Sequence, residues 1–307
     1  MKLGIDIGGT KTAAVVLGSD GTLSDQVRMP TGFGPEEVVG TALRTVARMS
    51  ELAGLEPGGF ESIGIGVPGA VDAGTGRVEH AVNLGVAGLD LGPRLADRLG
   101  VAVRVENDVK AAALGADHLL HGAGTRDASM AYLNLGTGLA AGIVQGGRLL
   151  RGSRGIAGEI GHIPVDPHGL ECPCGQRGCL ETVASGSAIA RAWPSTDPLP
   201  ARELFLAADA GDGAAIEVRD RFVGGVAAAV RLLVLTVDVD EVVIGGGLAA
   251  LGEPLLGGTR RILEGWAAGS AFLGSIDLAG RVRIIPPGFP AAAVGAALVG
   301  GIAWPKS

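Results

Sequence analysis

The stretch "KLGIDIGGTKTAAVVLGSDGTL", Lys2–Leu23, reads as a strand, a Gly8-Gly9-Thr10 turn and a second strand. The design returns about half a chain later in "SMAYLNLGTGLAAGIVQGGRLL", Ser129–Leu150, around Gly136-Thr137-Gly138. The leading strands correspond: Ile5-Asp6-Ile7-Gly8 against Leu133-Asn134-Leu135-Gly136. One glycine hairpin says little. Two, each ending in another Gly-containing turn, point to two domains of related fold.

Around them short β runs alternate with helical patterns, the mark of an α/β protein. "SIGIGVPGAVD" (Ser62–Asp72) is a strand entering a Pro-Gly loop. "VAVRVENDVKAAALGADHLL" (Val101–Leu120) is a strand entering a helix at Glu106-Asn107-Asp108. "DEVVIGGGLAAL" (Asp240–Leu251) reads as a strand, three glycines and a helix. "PAAAVGAALVGG" (Pro290–Gly301) reads as an Ala/Gly-rich helix suited to close packing. The 307 residues, 47% hydrophobic but only 3% aromatic, suffice for a large and mainly aliphatic core. A net charge of −7 without a long basic run argues against a nucleic-acid groove or an anionic membrane surface. The N-terminus lacks the apolar core and small-residue site of a signal peptide. No uncharged apolar run reaches the ~18–20 residues of a membrane span. The expectation is a soluble, cytoplasmic protein.

Glycine turns let backbone N–H groups crowd an anion with no Cβ in the way. Gly8-Gly9-Thr10-Lys11 adds a hydroxyl and an ammonium, and Gly136-Thr137-Gly138 a further hydroxyl. Asp6 can hold Mg²⁺ through water, because that ion keeps most of its hydration shell. Gly245-Gly246-Gly247 offers bare backbone to the base and ribose of a nucleotide. Any one of these is more often just a turn; three in suitable contexts carry weight. None fits GxxxxGK[ST], and no GxGxxG follows the first strand. Asp108, at a strand-to-helix junction, has two readings: a helix N-cap, or a carboxylate that accepts a proton in catalysis.

All three cysteines, Cys172, Cys174 and Cys179, fall within "LECPCGQRGCLE", Leu170–Glu181. In a reducing compartment such a cluster points to metal rather than disulfides. Three thiolates and one histidine make a closed, structural zinc site, and His162 and His168 both qualify by spacing. Glu171 reads as a solvated loop acid. His118 and His121 sit at a helix end with no acidic or cysteine partner at ligand spacing, and His80 has no evident context.

On DIGGTK (Asp6–Lys11), VPG (Val67–Gly69), END (Glu106–Asp108), LGTG (Leu135–Gly138), GEIGH (Gly158–His162) and CPCGQRGCLE (Cys172–Glu181), essentially the whole chain resembles the ROK sugar kinases. Within them it is most similar to the zinc-containing glucokinases of actinobacteria. The resemblance implies a two-domain actin-like ATPase (ribonuclease H-like) fold with an active-site cleft between the domains. The small domain is then expected at 1–115 plus 291–307, and the large one, with the zinc loop, at 116–290.

The implied reaction is ATP-dependent phosphorylation of a hexose 6-hydroxyl, glucose to glucose 6-phosphate, with Asp108 as general base. Asn107 is assigned to the 3- and 4-hydroxyls. Glu159, His162 and Glu181 go to the 1- and 2-hydroxyl side, with Gly69 and Asn83 as further sugar contacts. The resemblance also selects His162 as fourth zinc ligand, and family habit adds a homodimer. There are two departures. The family often has NDANAA where this chain has Asp108-Val109-Lys110-Ala111-Ala112, and no aromatic residue follows Asn83-Leu84. Both fall near where sugar specificity is set, so N-acetylglucosamine, N-acetylmannosamine or another aminohexose is the alternative acceptor. A non-catalytic sugar sensor is the alternative of a different class, opposed by the retained Asp108. A winged-helix regulator is opposed by a first phosphate loop that begins at Asp6.

Overall fold

The computed structural model describes residues 1–122 and 128–301. The chain opens with β1 (Lys2–Ile7), β2 (Lys11–Leu17), β3 (Val27–Pro30) and α1 (Pro35–Ala53). β4 (Ser62–Val67) leads into a meander of β5 (Ala70–Asp72), β6 (Arg77–Ala81) and β7 (Val86–Leu89). α2 (Leu91–Leu99), β8 (Val103–Asn107) and α3 (Asp108–His121) follow. Next come β9 (Ser129–Leu135), β10 (Leu139–Gln145), β11 (Arg148–Leu149), α4 (Gly186–Ala192), α5 (Pro200–Asp209) and α6 (Gly213–Val237). β12 (Glu241–Gly245), α7 (Glu253–Ala268), α8 (Ala271–Ser275), β13 (Val282–Ile284) and α9 (Ala291–Gly300) end the described chain. Among the described residues, no helix is long and apolar enough to cross a membrane.

Two compact units result: Met1–Asp127 with Gly142–Ala157 and Pro290–Ser307, and Ala128–Ala141 with Gly158–Phe289. The first is built on a sheet of order β3-β2-β1-β4-β8. β1 pairs antiparallel with β2 and parallel with β4, and β4 runs parallel to β8. Leu3, Ile5, Ile7, Ile63 and Ile65 have no exposed surface, as expected of central strands covered on both faces. The expected Ala/Gly-rich helix is α9, which packs on α3, β1 and β4. Its approach is close enough that a Cβ on Gly64 would land on the Ala296 carbonyl, and one on Gly295 on the Ala111 carbonyl. Backbone cannot swing aside as a flexible side chain can. Gly64→Ala is therefore expected to cost about 3 kcal/mol, the upper part of the usual overpacking range. A urea titration checks it: the midpoint falls while the slope stays that of the parent.

The other sheet runs β11-β10-β9-β12-β13, again a hairpin on one side and parallel strands on the other. β11 and the part of β10 from Gly142 onward fall in the first unit. In the second unit α5 lies on α6, where Phe205 meets Phe222 edge-on at 6.4 Å. One element differs from expectation. The glycines after β12 lead into a 3-10 turn, Gly247–Leu251, and the helix begins only at Glu253. Gly252, at φ 62°, breaks the turn, and Pro254 restarts the chain as the first turn of α7.

Candidate active site

In the first unit the strands β1, β4 and β8 end on one edge of their sheet, where open α/β sheets carry functional groups. Asn107 is the last residue of β8 and the N-cap of α3: its Oδ1 accepts from Val109 N at 3.0 Å and Lys110 N at 3.2 Å. This settles the two readings of Asp108 as far as capping goes. Asp108 sits in the first turn at the positive end of the helix dipole, and its Oδ1 accepts from Val109 N at 2.9 Å. Asn107 Nδ2 donates to the Gly69 carbonyl at 3.2 Å, tying β8 to the loop after β4. One Nδ2 hydrogen remains for a ligand. Gly69, at φ 99°, rests on the backbone of Glu79–Ala81, where His80 itself takes a φ of 55°.

Asp6, near the end of β1, is pushed up to about 7 by burial first and by the Asp108 charge second, against a lowering by Lys11. The adjoining turn closes through Gly8 N donating to the Lys11 carbonyl at 3.0 Å, leaving Thr10 and Lys11 exposed. Gly9 presses on the turn that carries Asn83: a Cβ there would lie 3.2 Å from Asn83 Cβ. The first unit thus brings together Asp6, Gly8, Gly9, Thr10, Lys11, Gly69, Asn83, Asn107 and Asp108.

In the second unit Glu159 precedes a 3-10 turn, Ile160–His162, and His162 N donates to the Glu159 carbonyl at 3.2 Å. Leu180 N donates to the Ile163 carbonyl at 3.0 Å, which draws the cysteine loop and Glu181 onto that turn. Glu181 Oε2 accepts from Leu139 N at 2.8 Å, at the end of the Gly136-Thr137-Gly138 turn, and its Oε1 is left for a hydroxyl. The same turn is held from the other side. Gly186 N donates to the Gly136 carbonyl at 2.8 Å and Ser187 Oγ to that of Thr137 at 2.5 Å. Of the three glycines after β12, two serve packing. A Cβ on Gly245 would enter the Tyr132 ring, and one on Gly246, at φ 79°, would strike the Leu135 carbonyl. Gly247 alone is exposed.

His162 Nδ1 lies 3.8 Å from Cys172 Sγ, and Cys174 Sγ lies 3.7 Å from Cys179 Sγ. All four donor atoms fall within 4.8 Å of one another. His168 is outside the group; its N–H instead closes a turn on Asp166 Oδ1 at 2.9 Å.

The sequence signature of the ROK family matches residues 2–273. The chain belongs to the ROK family. It is 35% identical over 284 residues to a glucokinase of Halalkalibacterium halodurans, covering 86% of each chain. It is also 35% identical over 253 residues to an N-acetylmannosamine kinase of Escherichia coli O139:H28, covering 80% of this chain and 82% of that one. Among solved structures, a ROK glucokinase from Streptomyces griseus in complex with glucose and AMPPNP superposes with a TM-score of 0.77 at 31% identity, over 97% of this chain and 98% of that one. The fold is that of the actin-like ATPases.

The donor set of this ROK protein fits zinc. Tetrahedral Zn–S bonds of ~2.3 Å place sulfurs ~3.8 Å apart. A hydrogen bond from Gln176 brings Cys174 down to about 6, while burial and the neighbouring thiols push Cys179 up to about 12. Glu171 is exposed, as expected, but pairs across the loop with Arg177 at 2.6 Å. The expectation for His121 needs correction: its Nδ1 is 2.9 Å from Asp117 Oδ1, one turn back on α3. The two form an i, i+4 pair on the helix.

Two contacts beside Asp108 had no announcement in sequence. Glu106, 2% exposed, holds Arg151 at 2.7 Å, and Lys110 Nζ donates to the Gly155 carbonyl at 2.5 Å. They fasten the loop after β11 to the end of β8 and to the first turn of α3. On β8 the polar residues Arg104 and Glu106 alternate with Val103 and Val105, so nothing in the sequence singled out Glu106, and the loop arginine offered no signal either. Arg151→Met leaves a buried carboxylate unpaired and is expected to cost about 3 kcal/mol. Adding Glu106→Gln to that variant should restore part of it, as chemical denaturation of the double-mutant cycle will show.

Proposed function

We propose that this ROK protein is an ATP-dependent hexose 6-kinase acting on glucose. The observation that carries the reading is the placement of Asp108, at the start of α3 on the same sheet edge as Asp6 and the Gly8–Lys11 turn. Similarity to the glucokinases supports it.

Asp108 accepts the 6-hydroxyl proton as O6 attacks the γ-phosphorus and ADP leaves. The remaining Nδ2 hydrogen of Asn107 and the Asn83 amide fix hydroxyls, with Gly69 giving backbone room. Glu159, His162 and the free Oε1 of Glu181 recognise the 1- and 2-hydroxyl side. Thr10, Lys11 and the N–H groups of Gly9, Thr137 and Gly138 receive phosphate oxygens, on turns that the Gly8 and Gly136 N–H groups close by donating to the Lys11 and Gly138 carbonyls. Gly247, with Gly245 and Gly246 beneath it, faces the base and ribose. Asp6, a half-buried carboxyl beside a like charge, would hold Mg²⁺ through water, which neutralises phosphate charge when bound. His162, Cys172, Cys174 and Cys179 would hold zinc; four protein ligands leave no open position, so its contribution is to stiffen the segment that carries Glu181 and His162.

The reading includes a homodimer in the cytoplasm. Exposed Leu206, Leu235 and Phe272 on second-unit helices support the dimer, and light scattering tests it. A second acceptor class, the 2-acetamido hexoses, is favoured by the likeness to an N-acetylmannosamine kinase. A panel of sugars with ATP in a coupled ADP assay decides. Glucose is expected to have the highest kcat/KM. Turnover of 2-acetamido sugars alone moves the assignment to the second class, and turnover of no sugar removes both.

A further inference from the structure

The turn that carries Asn83 is flanked by two exposed apolar side chains, Val82 at 80% exposure and Phe33 at 73%. Phe33 belongs to the β3–α1 connection, which is pinned at both ends. Thr31 N donates to the Thr10 carbonyl at 3.1 Å, and the hydroxyls of Thr31 and Thr12 meet at 2.7 Å. Gly34 N donates to the Leu84 carbonyl at 2.8 Å. The ring is thus suspended between the Gly8–Lys11 turn and the Asn83 turn. Its edge covers Gly85, at φ 66°: a Cβ there would come within 2.5 Å of Phe33 Cε1. Gly85 leaves the space, Phe33 lies over it, and the rest of the ring faces solvent on the turn that carries Asn83. An exposed phenyl forfeits most of the burial that a phenylalanine gains elsewhere. Placed on a loop fixed at both ends, it is rigid and ready to be covered.

We propose that Phe33, with Val82, forms the apolar wall of the hexose subsite, lying against the C–H face of the pyranose while Asn83 and Asn107 hold hydroxyls. A hexose is amphipathic: its hydroxyls point outward around the ring and leave faces of C–H groups. Small-molecule sites are built to match, with an apolar wall and a few placed polar groups. In this subsite the polar side comes from the amides, and Phe33 and Val82 are the apolar groups beside them. Phe33 is therefore a specificity-determining residue: a sugar with an axial hydroxyl on that face would present a polar group to the ring. The inference rests on the hexose-kinase reading above.

The test is steady-state kinetics of Phe33→Ala, Phe33→Leu and Phe33→Trp at saturating ATP, with equilibrium sugar binding measured alongside. Phe33→Ala is expected to raise the hexose KM and Kd about tenfold while kcat and the ATP KM stay within about twofold. Phe33→Leu should fall between, and Phe33→Trp should stay near the parent. A Phe33→Ala variant with parental sugar KM and Kd overturns the inference and leaves the kinase reading intact. So does an ATP KM that rises as much as the sugar KM, because the loop would then serve only the packing of the Gly8–Lys11 turn. A parent that neither binds nor phosphorylates any hexose overturns both.

Discussion

Asp108→Asn is expected to lower kcat about a thousandfold while the sugar KM changes little. General-base catalysis contributes about 10²–10⁴, and an amide cannot take up the 6-hydroxyl proton. The substitution is nearly isosteric, and the favourable interaction of the charge with the helix dipole, about 0.3–1 kcal/mol, is what it gives up. The cap of α3 belongs to Asn107, and an asparagine Oδ1 can still accept from Val109 N. Removing the charge also relieves the repulsion that Asp6 feels from Asp108. The two effects oppose each other, and Asp108→Asn should melt close to the parent. That separates it from Asn107→Ala, which loses the cap and the bond to Gly69 together and should cost about 1–2 kcal/mol of stability. A coupled assay and a thermal melt on the same preparations check both. An Asp108→Asn enzyme within tenfold of parental kcat would remove Asp108 from the proton transfer.

The order of elements was legible because two signals agreed. The glycine hairpins at Gly8 and Gly136 repeat, and the Ala/Gly helix at the end meets glycines that admit it, Gly64 and Gly115, with its own Gly295 against α3. The cysteine cluster was legible for a related reason: ligands brought close by a short loop are close in sequence too. What stayed hidden is what depends on distant partners. Lys110 stands out in sequence only as a substituted amide; that it reaches the Gly155 carbonyl follows from a loop forty-five positions away. Glu181 was expected beside the sugar, but its grip on Leu139 N could not be read. Phe33 carried no motif at all and matters only because Gly85 leaves room for it. The Gly245–Gly247 run has a second use that its pattern did not announce: Gly245 and Gly246 are also required by Tyr132 and the Leu135 carbonyl.

Cys179→Ser is the second large effect expected, on metal content and stability together. Cys179 has no exposed surface, and its neighbours are drawn inward by the Pro164–Cys179 bridge and by Leu180 N on the Ile163 carbonyl. A serine hydroxyl is a poor zinc donor and would be buried without the partner that the thiolate had. Purified parent should carry about one zinc per chain, and Cys179→Ser less than about a tenth of that. Stability should drop by about 3–5 kcal/mol, since both the ligand and the closure of the loop are lost. Activity should fall with it, because Glu181 lies two residues beyond Cys179 and His162 is itself a member of the donor set. The ion pair in the same loop supplies the control. Glu171 and Arg177 are exposed, and such pairs contribute about 0–1 kcal/mol. Glu171→Gln should keep its zinc, its melting point and its kcat. Metal analysis and melts on the three proteins decide: a Cys179→Ser protein with full zinc and a parental melt would mean that the loop is held by packing, and that the cluster of thiols has no structural metal to serve.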